Sequence, residues 1–179
     1  MLGTSENCIA ANPSDLAVAL VALDASVEVR GPNGQRTLPL TEFHRLPGDT
    51  PHIETVLEPG EVITAITVPA SPVARRSHYL KVRDRASFEF AVVSAAVGLD
   101  MDGARIRQAR ITLGGVGTKP WRVPRVEAAL VGASLDPTVL RRAAALAAEG
   151  AQGRGHNDFK IELMQRAVVR AVETAGARA

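Results

Sequence analysis

The sequence predicts an α+β fold built from two units. Three observations carry that prediction. Alternating apolar and polar residues run up to Asn33-Gly34 and again to Asp102-Gly103, dipeptides that accept the positive φ of two-residue hairpin turns. The stretch Ser77–Leu99 holds two further strand-like runs, separated by the charged knot Arg83-Asp84-Arg85. Beyond Pro120 the pattern becomes helical, with a closing stripe of Ile161, Met164, Val168, Val172 and Ala175.

In chain order, Pro13 breaks what precedes it, and Ser14 or Asp15 can cap a helix over Leu16–Leu23. Leu16, Leu20 and Leu23 are its expected apolar stripe. Val27–Arg30 and Gln35–Leu40 form the first hairpin about Pro32-Asn33-Gly34. Phe43–Pro51, rich in Pro, Gly and charge, reads as a loop. Glu61–Val68 alternates so that Val62, Thr64, Ile66 and Val68 share one face. In the central stretch His78, Leu80 and Val82 point one way, and Tyr79, Lys81 and Arg83 the other. Phe90–Leu99 is a run of small and β-branched residues, predicted as a strand buried on both faces. It pairs with Ile106–Leu113 across the second hairpin. A short helix follows over Arg125–Val131, stopped by Gly132. Another begins with Asp136 as cap and Pro137 in its first turn and runs to Glu149. Asn157 or Asp158 caps the last helix, to Ala175. The central stretch is therefore expected to supply the last strand of one unit and the first strand of the next. That sets the units at 1–85 and 86–179.

Composition narrows the function classes. A chain of 179 residues can bury a substantial core, and with 46% hydrophobic but 3% aromatic residues that core must be aliphatic. A net charge of +2 with scattered arginines argues against a nucleic-acid partner. No apolar run approaches the ~18 residues of a membrane span, which argues against a membrane partner. The N-terminal residues lack the basic start and apolar core of a signal peptide. The single cysteine, Cys8, excludes an internal disulfide.

No catalytic motif emerges from spacing alone. Gly114–Gly117 is not a dinucleotide fingerprint, and with Pro120 and Pro124 close behind it reads as a turn. His44, His52, His78 and His156 lack ligand spacing and read as surface or hydrogen-bonded residues. Taken singly, Asp15 reads as a cap, Lys81 as a solvated lysine on a strand's polar face, and Cys8 as a small buried hydrophobe.

Five ordered segments, GTSENCIAANPSDLAVALVALDASVEV, EPGEVITAITVP, YLKVRDRASFEFAVVSAAVGL, LGGVGTKPWRV and GHNDFKIELMQRAVVRA, give a stronger signal together. They resemble the FAD-binding subunit of the xanthine dehydrogenase family of molybdenum hydroxylases, in its bacterial aldehyde oxidoreductase branch. The resemblance covers essentially the whole chain. It implies the second subdomain of a PCMH-type FAD-binding domain, followed by a CO dehydrogenase flavoprotein C-terminal-like domain. The family's first flavin subdomain, with its pyrophosphate loop, has no counterpart, so the chain resembles a subunit lacking that part and is not expected to bind FAD alone.

The resemblance also implies site residues. Asp15 matches an acidic residue that contacts the cofactor. Ile63 matches an apolar position whose backbone lies against the flavin ring. Lys81 matches a lysine near the isoalloxazine, where a cation suits the negative charge of reduced flavin. Gly3 and Thr4 lie near the flavin-phosphate turn. Cys8 matches one of four cysteines that hold a [4Fe–4S] cluster, whose other three ligands would lie upstream. The implied role is electron transfer: from the molybdenum cofactor of a large subunit, through [2Fe–2S] clusters of a small subunit, to FAD and an acceptor. The alternative is a non-catalytic scaffold that docks partner subunits without flavin. The compartment stays open between cytoplasm and, through a partner's export signal, periplasm.

Overall fold

The computed structural model describes residues 1–178. Two antiparallel sheets share one helix between them. The first sheet comprises β1 (Ser26–Gly31), β2 (Gly34–Pro39) and β3 (Val62–Thr67), in the order β2-β1-β3. The hairpin turns where expected, with Gly34 at φ 110°. A four-residue helix, α2 (Leu40–Phe43), follows, and Val27, Val29, Leu38, Leu40 and Phe43 build a small core.

The second sheet has the order β4-β5-β6-β7, from β4 (Arg76–Val82), β5 (Val93–Asp102), β6 (Arg105–Gly114) and β7 (Trp121–Arg122). Placing the Ser77–Val82 run in the first unit was wrong: all of β4 pairs with β5, from Arg76↔Leu99 to Val82↔Val93. The boundary expected at 85/86 therefore falls in the loop between two hydrogen-bonded strands. A long apolar strand is stabilised by pairing on both edges, and β5 takes β4 on one edge and β6 on the other.

The β5 run is buried on both faces, as predicted, because different elements cover each. Val93, Ala95, Val97 and Leu99 join the main core with α5 (Phe159–Gly176), α3 (Pro124–Leu130) and α4 (Pro137–Ala145). Ala96 faces the other way, onto Val18 and Ala22 of α1 (Asp15–Ala22). The strand begins at Val93 rather than Phe90. Residues 83–92 are a loop tied by the Glu89 carboxylate, which accepts from the backbone N–H groups of Asp84 (2.9 Å) and Arg85 (2.8 Å). That leaves Phe88 and Phe90 exposed.

Three further expectations are corrected. The buried face of α1 is Val18, Val21 and Ala22, while Leu16 is 65% exposed. Sandwiching the helix between two sheets selects its slim β-branched and alanine side. In β3, Ile63 lies opposite Val29 and Ile66 opposite Val27, with a register shift between them. This β-bulge breaks the face expected for Val62, Thr64, Ile66 and Val68, because opposed residues share a face and one extra residue intervenes. At the start of α5 neither Asp158 nor Asn157 caps a helical N–H; Asn157 instead accepts from the N–H of Arg154 (2.8 Å). At α4, by contrast, Asp136 accepts from the N–H groups of Thr138 (2.8 Å) and Val139 (3.1 Å).

Candidate functional site

Two of the residues singled out in the sequence meet where α1 crosses the second sheet. Ser14, not Asp15, caps α1, accepting from the N–H of Ala17 at 3.1 Å. This frees the Asp15 carboxylate, in the first turn, to reach the sheet. The 2-residue period of β4 puts Tyr79 and Lys81 on one face, and Ser94 lies opposite Lys81 on β5. Asp15 Oδ2 sits 2.7 Å from Lys81 Nζ, and Asp15 Oδ1 accepts from the Tyr79 hydroxyl at 2.8 Å. The buried Ser94 hydroxyl lies 3.0 Å from the Tyr79 oxygen and supplies the other half of that chain.

The electrostatics favour an ionised Asp15 and a neutral Tyr79. Burial works to raise the Asp15 pKa, but hydrogen bonds from Lys81 and Tyr79 and the charges of Lys81 and Arg83 outweigh it, so the carboxyl titrates below its ordinary value. Burial pushes the Tyr79 phenol far up; the Ser94 bond opposes this, and the Asp15 carboxylate adds to it. The result is an Asp15 carboxylate and a protonated Tyr79 phenol near neutral pH, with Lys81 Nζ beside the carboxylate. Such an array suits binding and orientation rather than general acid–base work. The Lys81 side chain is 22% exposed and that of Asp15 44%, so one edge of the pair faces solvent.

Gly114 and Gly115 floor the adjacent cleft, which Asn12, Pro13 and Ala91 also line. A Cβ at Gly114 would stand 2.4 Å from Ser94 Oγ and 2.7 Å from Val18 Cγ2. Gly115, at φ 73°, would place one 2.7 Å from the Ala91 and Val92 carbonyls. Close packing therefore accounts for both glycines.

The other candidates lie apart from this array. Gly3 and Thr4 follow Leu2, whose backbone exchanges hydrogen bonds with Val116 (3.0 Å) and Thr118 (3.3 Å). Gly3 has φ 63°, and a side chain there would strike Trp121 and Leu46 at 2.7 Å. Ile63 sits exposed on β3, which packs along β1 in the other sheet. Cys8 is half-buried rather than buried, in a second cleft with Asn12, His44, Ile53 and Glu54. In that cleft Asn12 Oδ1 and His44 Nδ1 are buried without hydrogen-bond partners among the described residues. His44 is thus an exception to the expected surface or hydrogen-bonded histidines. Burial, aided by the Lys119 charge and opposed by Glu54, holds its pKa below the ordinary value.

A [4Fe–4S] cluster requires four ligands, and Cys8 is the chain's sole cysteine. No group of three or more His, Cys, Asp or Glu among the described residues could hold a metal ion. These residues could supply one ligand, Cys8, and the other three would have to come from outside them. The Lys81–Asp15 pair does fit the pyrimidine edge of a flavin, which takes both a cation and hydrogen-bonding groups. Tyr79 and Ser94 were missed by sequence reasoning. The signal was available for Tyr79, which alternates with Lys81 on the polar face, but nothing local joins Ser94 to Asp15.

Comparison with known proteins follows the same division of the chain. Residues 7–71 match the FAD binding domain in molybdopterin dehydrogenase, and residues 78–175 match the CO dehydrogenase flavoprotein C-terminal domain. The chain is 44% identical to the aldehyde oxidoreductase FAD-binding subunit of Escherichia coli K12, over 100% of this chain and 53% of that protein. It is 32% identical to the carbon monoxide dehydrogenase medium chain of Afipia carboxidovorans, over 93% and 57% respectively. Among solved structures, a reconstituted CO dehydrogenase from Oligotropha carboxidovorans superposes with a TM-score of 0.81 at 30% identity, covering 92% of this chain and 57% of that one. Quinoline 2-oxidoreductase from Pseudomonas putida 86 gives a TM-score of 0.77 at 28% identity, over 92% and 56%. The chain spans about half the length of the curated relatives it matches.

Proposed function

Since the chain belongs to the family of FAD-binding subunits of molybdenum hydroxylases, we propose that it forms the part of such a subunit that flanks the flavin ring and steadies its reduced form. In this reading electrons reach FAD from the iron–sulfur clusters of a small subunit, fed by the molybdenum centre of a large subunit, and leave to an acceptor. FAD supplies the redox chemistry when bound; the chain supplies binding, orientation and charge.

The observation that carries the reading is the Asp15–Lys81 pair, brought together from 66 residues apart. Lys81 is the cation for the pyrimidine edge. Asp15 fixes where its ammonium points, and Tyr79 and Ser94 fix Asp15. Ile63 is proposed to present backbone to the ring, and Gly3 and Thr4 to stand near the phosphates. The remaining flavin contacts belong to the half of the relatives' length that these residues do not match.

The test is a redox titration of the flavin in a complete subunit containing this chain, wild type beside Lys81→Met. A unit charge about 4 Å away at an effective dielectric near 20 is worth about 4 kcal/mol, which solvent reduces to ~1 kcal/mol. The midpoint is expected to fall by tens of millivolts, of the order of that energy. Equal midpoints with equal FAD affinity would return Lys81 to a structural role.

A further inference from the structure

The end of α5 is laced to β4, the edge strand of the second sheet, by two arginines that reach in opposite directions. Arg178, just past the helix, donates from Nη1 to the Ser77 carbonyl at 2.7 Å and from Nη2 to His78 Nδ1 at 3.2 Å. Arg76, at the start of β4, reaches back to the Gly176 carbonyl at 3.5 Å. A guanidinium carries only donors, so the bond to His78 requires a lone pair on Nδ1, which is the neutral ring with its proton on Nε2. Protonation would set an N–H of the ring against an N–H of Arg178. The surroundings offer an imidazolium no compensation. The charges acting on the ring are those of Arg178 and of Arg170 on α5, both cationic. Its other neighbours are uncharged: Val97 opposite it on β5, Ala19, Ala22 and Leu23 across a crevice at α1, and the Pro72–Ala74 turn packed on β4. Burial and these two cations, in that order, hold the His78 pKa below its ordinary value.

We propose that His78 and Arg178 form an acid-released latch, which pins the C-terminal turn of α5 to the edge of β4 while the imidazole is neutral and frees it when the ring is protonated. Release gives up both Arg178 bonds, because the guanidinium that leaves Nδ1 is the one that covers the Ser77 carbonyl. An edge strand with its outward groups uncovered is open to solvent and to other strands. β4 is also the strand that carries Tyr79 and Lys81, so the latch governs how firmly that edge is closed beside the array. The sign follows from linkage. A histidine that binds its proton less readily in the folded chain contributes stability above its unfolded value, 6.5, and that contribution is lost as pH falls through the folded value. The latch stands whether or not the chain takes part in binding flavin.

The test is NMR of the full chain, following the histidine ring signals and the backbone order parameters from about pH 8 to about pH 5. The amides of residues 175–178 are expected to stand near ~0.85 at the alkaline end and to fall below about 0.6 at the acid end, with β5 unchanged. Their midpoint should coincide with that of the His78 ring, which lies below 6.5. Order parameters that stay constant across the range overturn the latch, and so does a fall whose midpoint departs from that of His78. Two variants separate the latch from a general loosening at low pH. His78→Gln keeps an acceptor for Arg178 that does not titrate, so the turn should stay ordered throughout; loosening in that variant overturns the proposal. Arg178→Met should leave the turn mobile at both ends of the range and move the His78 midpoint upward, since a cation beside the ring is gone. An unmoved midpoint also overturns it. Both contacts lie at the surface, so neither substitution opens the core.

Discussion

Lys81 and Asp15 have to be treated as one group. Replacing Lys81 by Met removes a cation and also leaves the Asp15 carboxylate with the Tyr79 hydroxyl and the more distant Arg83 charge to stabilise it. The flavin midpoint of Lys81→Met should therefore fall further than that of the Asp15→Asn/Lys81→Met double variant. The comparison is made in one titration series, and equal midpoints would show that Asp15 does not act on the flavin. A second pair makes an acid-stability prediction. The Glu61 carboxylate is held by Arg36 through two hydrogen bonds of 2.8 and 2.7 Å and accepts from the Glu58 N–H at 2.7 Å. The Arg36 bonds are the main cause of its pKa falling from 4.5 to about 2. A depressed carboxylate stabilises the fold above its unfolded pKa and loses that contribution as pH falls toward the folded value. Acid titration of Glu61→Gln should therefore show a shallower decline than wild type between pH 4.5 and about 2. An unchanged acid limb would refute the assignment.

At the scale of elements, α1 is the joint of the molecule. Its Val18 and Ala22 pack on the second sheet, its Val21 in the first core, and Gly114 is the point of closest approach. Gly114→Ala drives a methyl against Ser94 and Val18, so it should cost about 1–3 kcal/mol in denaturant unfolding. It should also loosen the Tyr79–Ser94 bond, which holds the phenol pKa down, and so raise that pKa further. Loss of less than ~0.5 kcal/mol would mean that the helix shifts freely. Leu16 lies on the opposite, exposed face, and Leu16→Ala should change stability little. The stripe of Leu16, Leu20 and Leu23 is not the buried face: with Leu and Val at adjoining positions, periodicity alone does not tell which side faces the core.

For the whole molecule, an ion-pair network ties the end of α1 to the second sheet and α3. Arg122 bonds to Asp24 at 2.8 Å, to the Val21 carbonyl at 3.1 Å and to Glu127. Asp24 also takes Arg110 at 2.7 Å, and Glu127 accepts from the Ile111 N–H at 2.8 Å. Arg122→Met removes the shared cation from two carboxylates, leaving Asp24 with Arg110 and the buried Glu127 with only the Ile111 N–H, and should cost about 3 kcal/mol. Because the network ties the second sheet to α1, whose Val21 packs in the first core, the calorimetric transition should broaden or split as the units uncouple. A single sharp transition at the wild-type temperature would show that the network carries no coupling.

The sequence by itself determined the α+β class, both hairpin turns, the Asp136 helix start and the doubly buried central strand. Each is encoded within a few residues, by a positive-φ dipeptide, a capping side chain or an uninterrupted β-branched run. It also determined the family, through five segments in order, and drew Asp15 and Lys81 from that resemblance. Only the tertiary structure decided that β4 belongs to the second sheet, which face of α1 is buried, where β3 bulges, and that Asp15, Tyr79, Lys81 and Ser94 form one array. Those features depend on contacts between residues far apart in the chain, where local periodicity carries no information about which surfaces will meet. The Asp15 carboxylate could cap its own helix or reach across to a strand 66 residues away. Ser14 already filled the cap, and the sheet brought Lys81 and Tyr79 within reach.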